Sequence, residues 1–220
     1  MRLRHLLLIA AVLFCPAISH AVTCSVSNVQ PINLGSVNPL SATGATSSMT
    51  FNYTCTKELG DALAGINLCF NIGASAVSGQ VTPRNMSLNG TPARALAYQL
   101  YQDAGHTKVW GSQYQSGTTF PMVQLNLLNL TPVTGSLTVS AQIVTPQTSA
   151  VPGSYQDSYT AATALVTLNP GLLFPPTTCG DTVAARLPFT VSATVSKQCN
   201  ITSATNISFA PAGATGRNLT

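Results

Sequence analysis

Past residue 21 the chain holds five cysteines, five carboxylates and a single histidine, and these bound the chemistry it could perform. Nucleophilic catalysis needs a base beside a serine or cysteine. The one histidine, His106, stands in the turn-like stretch DAGHTK, and no G-x-S-x-G elbow occurs. It reads as an exposed loop residue. Glu58, Asp61, Asp103, Asp157 and Asp181 are spread along the sequence. Nothing in their spacing brings two to the separation that glycoside hydrolysis requires, so they read as turn and strand-end carboxylates. Cys24, Cys55, Cys69, Cys179 and Cys199 show no C-x-x-C spacing, which argues against zinc. In an oxidising compartment four of them form two disulfides and one is left over. The side chains point to staples in a non-enzymatic protein, with no catalytic residue, cofactor or metal.

The oxidising compartment follows from the first 21 residues. Arg2, Arg4 and His5 precede the apolar run Leu6 to Phe14, and Ser19, His20 and Ala21 supply a small-x-small cleavage signature, so the mature chain is expected to begin at Val22. Phe14 stands before Cys15 where a lipoprotein signal needs a small residue, so lipidation is not expected. The run is shorter than the ~20 residues of a membrane helix, and no stable membrane insertion is expected. Seven basic and five acidic residues remain after cleavage, a net charge of +2. Lys57, Arg84, Arg94, Lys108, Arg186, Lys197 and Arg217 are scattered singly, without the basic face that nucleic acid requires. With 6% charged and 45% hydrophobic residues, the composition suits a folded core under a neutral polar surface rather than disorder.

Alternation of period two dominates the sequence. Met49, Phe51, Tyr53 and Cys55 share one face of a strand; Ile66, Leu68, Phe70 and Ile72, then Leu96, Tyr98 and Leu100, then Leu137, Val139, Ala141 and Ile143 repeat the pattern. Glycine and proline punctuate these runs at the spacing of a β-sandwich. The paired prolines 175 and 176 cannot sit in a central strand. A shift of 175 residues lays Cys24 on Cys199, and CSVSNVQPINLG recurs as CNITSATNISFA. The layout expected is therefore a signal at 1–21, a first sandwich at 22–171, a linker at 172–186 and the truncated start of a second sandwich at 187–220. Cys199 is then the leftover cysteine, because its partner would lie beyond Thr220.

Several spaced elements resemble the spore coat protein U domain family, which includes subunits of archaic chaperone-usher pili. They are Cys24 with Cys55, the PRNM run at Pro83 to Met86, LAYQLYQDA at Leu96 to Ala104, Trp110-Gly111, Gly117-Thr118, GSYQDSYTAATALVTL from Gly153 to Leu168, and PFTVSATVSKQCNI from Pro188 to Ile201. The resemblance implies an all-β, immunoglobulin-like pilin sandwich, stapled between its first strands by Cys24 and Cys55, with no enzymatic activity. It further implies a missing final strand, filled first by a periplasmic chaperone at the usher and then by a neighbouring subunit through donor-strand exchange. Cys69 and Cys179 fit a bond that returns the end of the first domain to an early strand, at the surface or an edge. Trp110 could stack on a sugar, but inside a family motif it reads as core.

Only Val22 and Thr23 precede Cys24, too few for a donor strand at ~3.3 Å per residue. A subunit that receives but does not donate stands at a fibre's end, so the chain reads as a two-domain tip subunit that supports attachment and biofilm formation. Its second domain would accept the neighbouring pilin. An internal pilin or coat component, or a free secreted carbohydrate-binding protein, are the other readings. Adhesive contacts are expected from loops: Leu59 to Ala64 above all, where Leu59, Ala62, Leu63 and Ala64 make an unusually apolar connection, then Tyr114 to Phe120 and Pro146 to Pro152.

Overall fold

The computed structural model describes residues 22–59, 65–197 and 206. Twelve strands follow one another: β1 (Thr23–Ser27), β2 (Ile32–Val37), β3 (Thr46–Thr56), β4 (Gly65–Ile72), β5 (Arg84–Leu88), β6 (Thr91–Tyr101), β7 (Met122–Asn126), β8 (Val133–Ile143), β9 (Gly153–Tyr159), β10 (Ala164–Gly171), β11 (Thr182–Arg186) and β12 (Phe189–Val195). They form an eight-stranded sheet, in the order β1-β3-β8-β6-β5-β9-β12-β2, and a four-stranded sheet, β11-β10-β4-β7. The fold is an all-β sandwich of the immunoglobulin-like kind.

Alternation in the sequence becomes the two faces of each strand. Along β3, Met49, Phe51, Tyr53 and Cys55 are buried while Thr50 and Asn52 are exposed, and on the outer face the hydroxyls of Thr50 and Thr138 meet at 2.7 Å. Phe51 packs against Phe70 and Trp110 across the sandwich, with ring centroids spaced as tilted aromatic pairs prefer. Cys24 lies directly opposite Cys55 in the antiparallel β1-β3 pair, with their Cα atoms 4.1 Å apart, and the two are disulfide-bonded.

Strand β4 departs from simple alternation: all eight of its residues are buried. Ile66, Leu68, Phe70 and Ile72 face the core, whereas on the other side Asn67 and Cys69 are covered by the segment 172–181, which crosses the sheet as a strap, and Asn71 Oδ1 is met by Ser112 and Gln113. Amides hold the strap down. Asn67 and Asn169 each donate from Nδ2 to the Thr178 carbonyl at 3.0 Å, Gln124 Nε2 to Pro176 O at 2.8 Å and Gln113 Nε2 to Gly180 O at 3.1 Å. Cys69 closes the arrangement by a disulfide to Cys179, 110 residues later. The bond therefore does not lie at the surface or an edge as its place on the outer face suggested; Cys69 is fully buried, because the strap itself supplies the cover.

The expected linker at 172–186 is corrected in the same way. Prolines 175 and 176 do lie outside strands, but Thr182 to Arg186 form β11 against β10. Beyond it, the run assigned to the opening of a second sandwich is the closing strand of the first. β12 pairs antiparallel with β9 and parallel with β2, burying Phe189, Val191, Ala193 and Val195. Alternation marks such a segment as a strand but is silent on which sheet it joins. The first sandwich thus extends to Val195. The remainder of the expected second domain, with Cys199, lies outside the described residues apart from Asn206.

Candidate functional site

The residues that carry the family motifs converge inside the sandwich. Arg84, of the PRNM run, is fully buried. Its Nη1 donates to Gln99 Oε1 at 2.6 Å and Val81 O at 3.1 Å, and its Nη2 to the carbonyls of Ile72, Gly73 and Trp110 at 2.7–3.0 Å. The terminal donors of the buried guanidinium are met in this way, as burial demands, while Nε is buried without a partner. Its Cζ stands 5.9 Å from the centre of the Tyr159 ring. Tyr159 in turn meets Tyr98, hydroxyl to hydroxyl, and Tyr98 reaches Asp157 Oδ2, each at 2.7 Å. Trp110 is fully buried, with Nε1 donating to Phe70 O at 2.9 Å. It holds the core and offers no face to a sugar.

The remaining candidate chemistry is spent on turns. Asp103 accepts from the amides of Thr107 and Lys108, and these bonds hold its carboxyl below the usual carboxylate range. His106, at φ 55°, sits in the same hairpin turn, edge-on to Tyr101. Among the described residues, no three His, Cys, Asp or Glu side chains come together as metal ligands, and no helix is long and apolar enough to cross a membrane.

What the fold gathers at its surface is apolar. Gly65 of β4 pairs with Asn126 of β7 on one side and with Gly171 of β10 on the other. Three segments run to or from this end of the sandwich: the one leaving β3, whose end pairs with the start of β8 and whose described part stops at Leu59, the one leaving β7 and the one leaving β10. Leu59 on the first is 82% exposed; Leu128 and Leu130 on the second are 74% and 52% exposed; Leu172, Leu173 and Phe174 on the third are 66%, 72% and 80% exposed. These are six of the ten large apolar side chains left exposed by the described fold. The third loop turns so tightly that a Cβ on Gly65 or Gly171 would lie 2.2–2.3 Å from the Phe174 backbone, so glycine at both positions permits the turn. Scattered exposed leucines are ordinary, whereas several large apolar side chains exposed at one end of a sandwich make a candidate interaction surface.

Of the loop expected to bind, Leu59 is exposed just beyond β3, and Ala62, Leu63 and Ala64 lie outside the described residues. Leu128, Leu130 and Leu172 to Phe174 were not foreseen. The signal in the sequence is the runs LLNL and GLLFPP, apolar residues bounded by prolines where a connection is due; the second of them falls in the expected linker. Cys24, Cys55, Cys69 and Cys179 are structural and stand apart from any binding chemistry, although the Cys69–Cys179 bond anchors the segment that carries Leu172 to Phe174.

The sandwich is similar to those of three fimbrial proteins. They are CfaE, the adhesive subunit of CFA/I fimbria of enterotoxigenic Escherichia coli (14% identity over 77% of this chain and 50% of that one, TM-score 0.36); the CupB6 tip adhesin from Pseudomonas aeruginosa (14%, 79% and 44%, TM-score 0.40); and AggA, the major subunit of aggregative adherence fimbriae type I of Escherichia coli (12%, 81% and 98%, TM-score 0.32). The chain spans about half the length of CfaE. Similarity this distant carries no information on ligands. No curated protein matches the sequence significantly. The sequence model of the Spore Coat Protein U domain matches residues 10–162, most of the first sandwich with every cysteine-spaced and motif element up to the turn after β9, and the chain belongs to that family.

Proposed function

We propose that this chain is an adhesive subunit of a chaperone-usher surface fibre, standing at its tip, and that the three apolar loops make the contact. The observation that carries this is the exposure of Leu59, Leu128, Leu130, Leu172, Leu173 and Phe174 at one end of the sandwich. Full transfer of a leucine or phenylalanine side chain out of water gains about 1.5–3 kcal/mol. Partial burial of six against an apolar surface supplies several kcal/mol, with no need of a shaped pocket. The target is accordingly a hydrophobic surface, and attachment to it is the route to biofilm formation.

The tip position has separate support. A chain of the pilin kind that awaits a donor leaves a gap in its sheet, whereas here β12 of the same chain lies between β9 and β2. A first sandwich that completes itself has no need of a neighbour's strand. In this reading the periplasmic chaperone, the usher and the next subunit engage the second domain, and the protein passes through the periplasm to the cell surface.

Adsorption to polystyrene beads, against hydrophilic silica, tests the contact. The purified protein should be retained on polystyrene, and the variant Leu128→Ser, Leu173→Ser, Phe174→Ser should lose at least about tenfold in retention while keeping its thermal unfolding midpoint. Equal retention by the variant overturns the assignment of the loops.

A further inference from the structure

The four-stranded sheet ends in two edge strands, β11 and β7, and only one of them is protected. β11 carries Arg186, is bulged against β10 and has β1 of the other sheet beside it. Its edge is thereby blunted, as exposed edges ordinarily are. β7 has none of these devices. Its sequence MVQLN holds no charge and no proline, and its pairing with β4 runs without a bulge from Gly65↔Asn126 to Cys69↔Met122. The facing sheet does not cover it either: Val133 to Val139 of β8 pair with β3 alone, because β6 joins β8 only from Ser140 onward.

The hydrogen-bonding groups on this edge can be named. Phe70 N donates to Pro121 O at 3.0 Å, so the Pro121 carbonyl points at β4, and alternation along the strand turns the backbone of Val123 and Leu125 the same way. The N–H and C=O of Met122, Gln124 and Asn126 therefore face away from β4. Among the described residues no backbone group bonds to them there. The side chains divide along the same line. Val123 and Leu125 pack against the core but are only partly buried, whereas Met122, Gln124 and Asn126 are exposed.

We infer that this edge pairs with the same edge of a second copy of the chain, antiparallel and twofold about Gln124. In that register Met122 faces the second copy's Asn126 and Gln124 faces its own counterpart, so each facing pair exchanges both of its N–H···O bonds. Any other twofold register leaves at least one of these residues unpaired. On the inner face Val123 comes opposite the second copy's Leu125, and each covers the half-exposed side of the other. The strand is uncharged, so no like charges oppose one another. Where the chain stands at a fibre's tip, as proposed above, such a pair joins two fibres; the pairing itself does not rest on that position.

Sedimentation velocity over a concentration series of the chain from Val22 onward tests it. The chain should move from monomer to dimer as concentration rises. Gln124→Lys and Gln124→Glu each set like charges together at the twofold axis, and each alone should associate about tenfold more weakly or worse. An equimolar mixture of the two should recover the dimer, since lysine then meets glutamate. The mixture also controls for the lost bond from Gln124 to Pro176, which both variants share. Leu173→Ser combined with Phe174→Ser should leave the association unchanged. A chain that stays monomeric throughout, or association undiminished in Gln124→Lys, overturns the pairing of this edge. A mixture that stays monomeric overturns the register, and association lost in the Leu173 and Phe174 variant would assign it to the apolar loops instead. None of these results depends on retention on polystyrene, so this inference and the proposed loop contact fail separately.

Discussion

Tyr98 and Asp157, from strands β6 and β9 that are not neighbours in the sheet, are joined in the core by a hydroxyl-to-carboxylate hydrogen bond of 2.7 Å. Because Tyr98 spends its one proton on Asp157 Oδ2, the 2.7 Å contact with Tyr159 has Tyr159 as donor. The second carboxylate oxygen accepts the Ser158 amide at 2.9 Å. A buried carboxylate is thereby satisfied without an ion pair, as burial demands.

This bond makes the fold sensitive to alkali. Burial first, and then the neighbouring Tyr159 and Asp157, hold the Tyr98 hydroxyl well above its ordinary value near 10. With a folded pKa above the unfolded one, the contribution is complete below about pH 10 and is lost as pH rises beyond it, where the unfolded chain releases a proton that the folded chain keeps. Urea unfolding from pH 8 to 11.5 should show stability falling above pH 10, and Tyr98→Phe should reduce that slope by about 1.4 kcal/mol per pH unit. An identical slope in the variant refutes the linkage. At neutral pH the same substitution should cost about 1–3 kcal/mol, because Asp157 loses its donor.

Arg84 should prove irreplaceable by lysine. Its two terminal nitrogens serve five acceptors on four stretches of chain, a fork that a single ammonium on a shorter reach cannot reproduce. Both Arg84→Lys and Arg84→Met should lower stability by about 3 kcal/mol, since each leaves buried carbonyls and Gln99 Oε1 unmet. Chemical denaturation checks this, and a loss under about 1 kcal/mol for Arg84→Lys would show the fork to be dispensable.

These buried groups explain what the sequence could and could not tell. Arg84, Gln99, Trp110, Tyr98, Asp157 and Tyr159 give the family its recognisable motifs, and each is fixed by hydrogen bonds or packing in the core. Fold and family were therefore legible from motif order and alternation. The surface that we propose binds bears no motif, since an apolar contact needs only exposed bulk and its residues come from loops far apart in sequence. Leu173 and Leu128 come to the same end of the sheet only because Gly171, Gly65 and Asn126 share a register. The place of β12 was illegible for a related reason: a strand's alternation states that it has two faces, and the partner is chosen by long-range pairing.

Removing the Cys69–Cys179 bond should loosen the strap more than the sandwich core. Closure of a 110-residue segment is worth about 5 kcal/mol in chain entropy, and the amides of Asn67, Asn169, Gln124 and Gln113 persist as a second set of anchors. The double variant Cys69→Ala, Cys179→Ala should fold, lose about 5 kcal/mol and show faster hydrogen exchange at Thr177, Thr178 and Gly180. Its retention on polystyrene should fall, because Leu172 to Phe174 are presented from the released segment. Unchanged exchange in the strap would show that the amides alone fix it.

The strand that closes the eight-stranded sheet offers the sharpest test of the domain boundary. β12 buries Phe189, Val191, Ala193 and Val195 between β9 and β2, at about 1.5–3 kcal/mol for each of the larger three. Their sum is comparable with the whole stability of an ordinary domain, about 5–15 kcal/mol. A chain of residues 22–197 should therefore unfold cooperatively, whereas 22–187 should not fold alone. A synthetic peptide of residues 188–197 should restore folding to the shorter chain by adding the missing strand to the open edge of β9, with a rise in near-ultraviolet circular dichroism as the readout. Cooperative unfolding of 22–187 without the peptide, at the midpoint of the longer chain, would return the end of the first sandwich to Gly171 and make β12 an accessory to it.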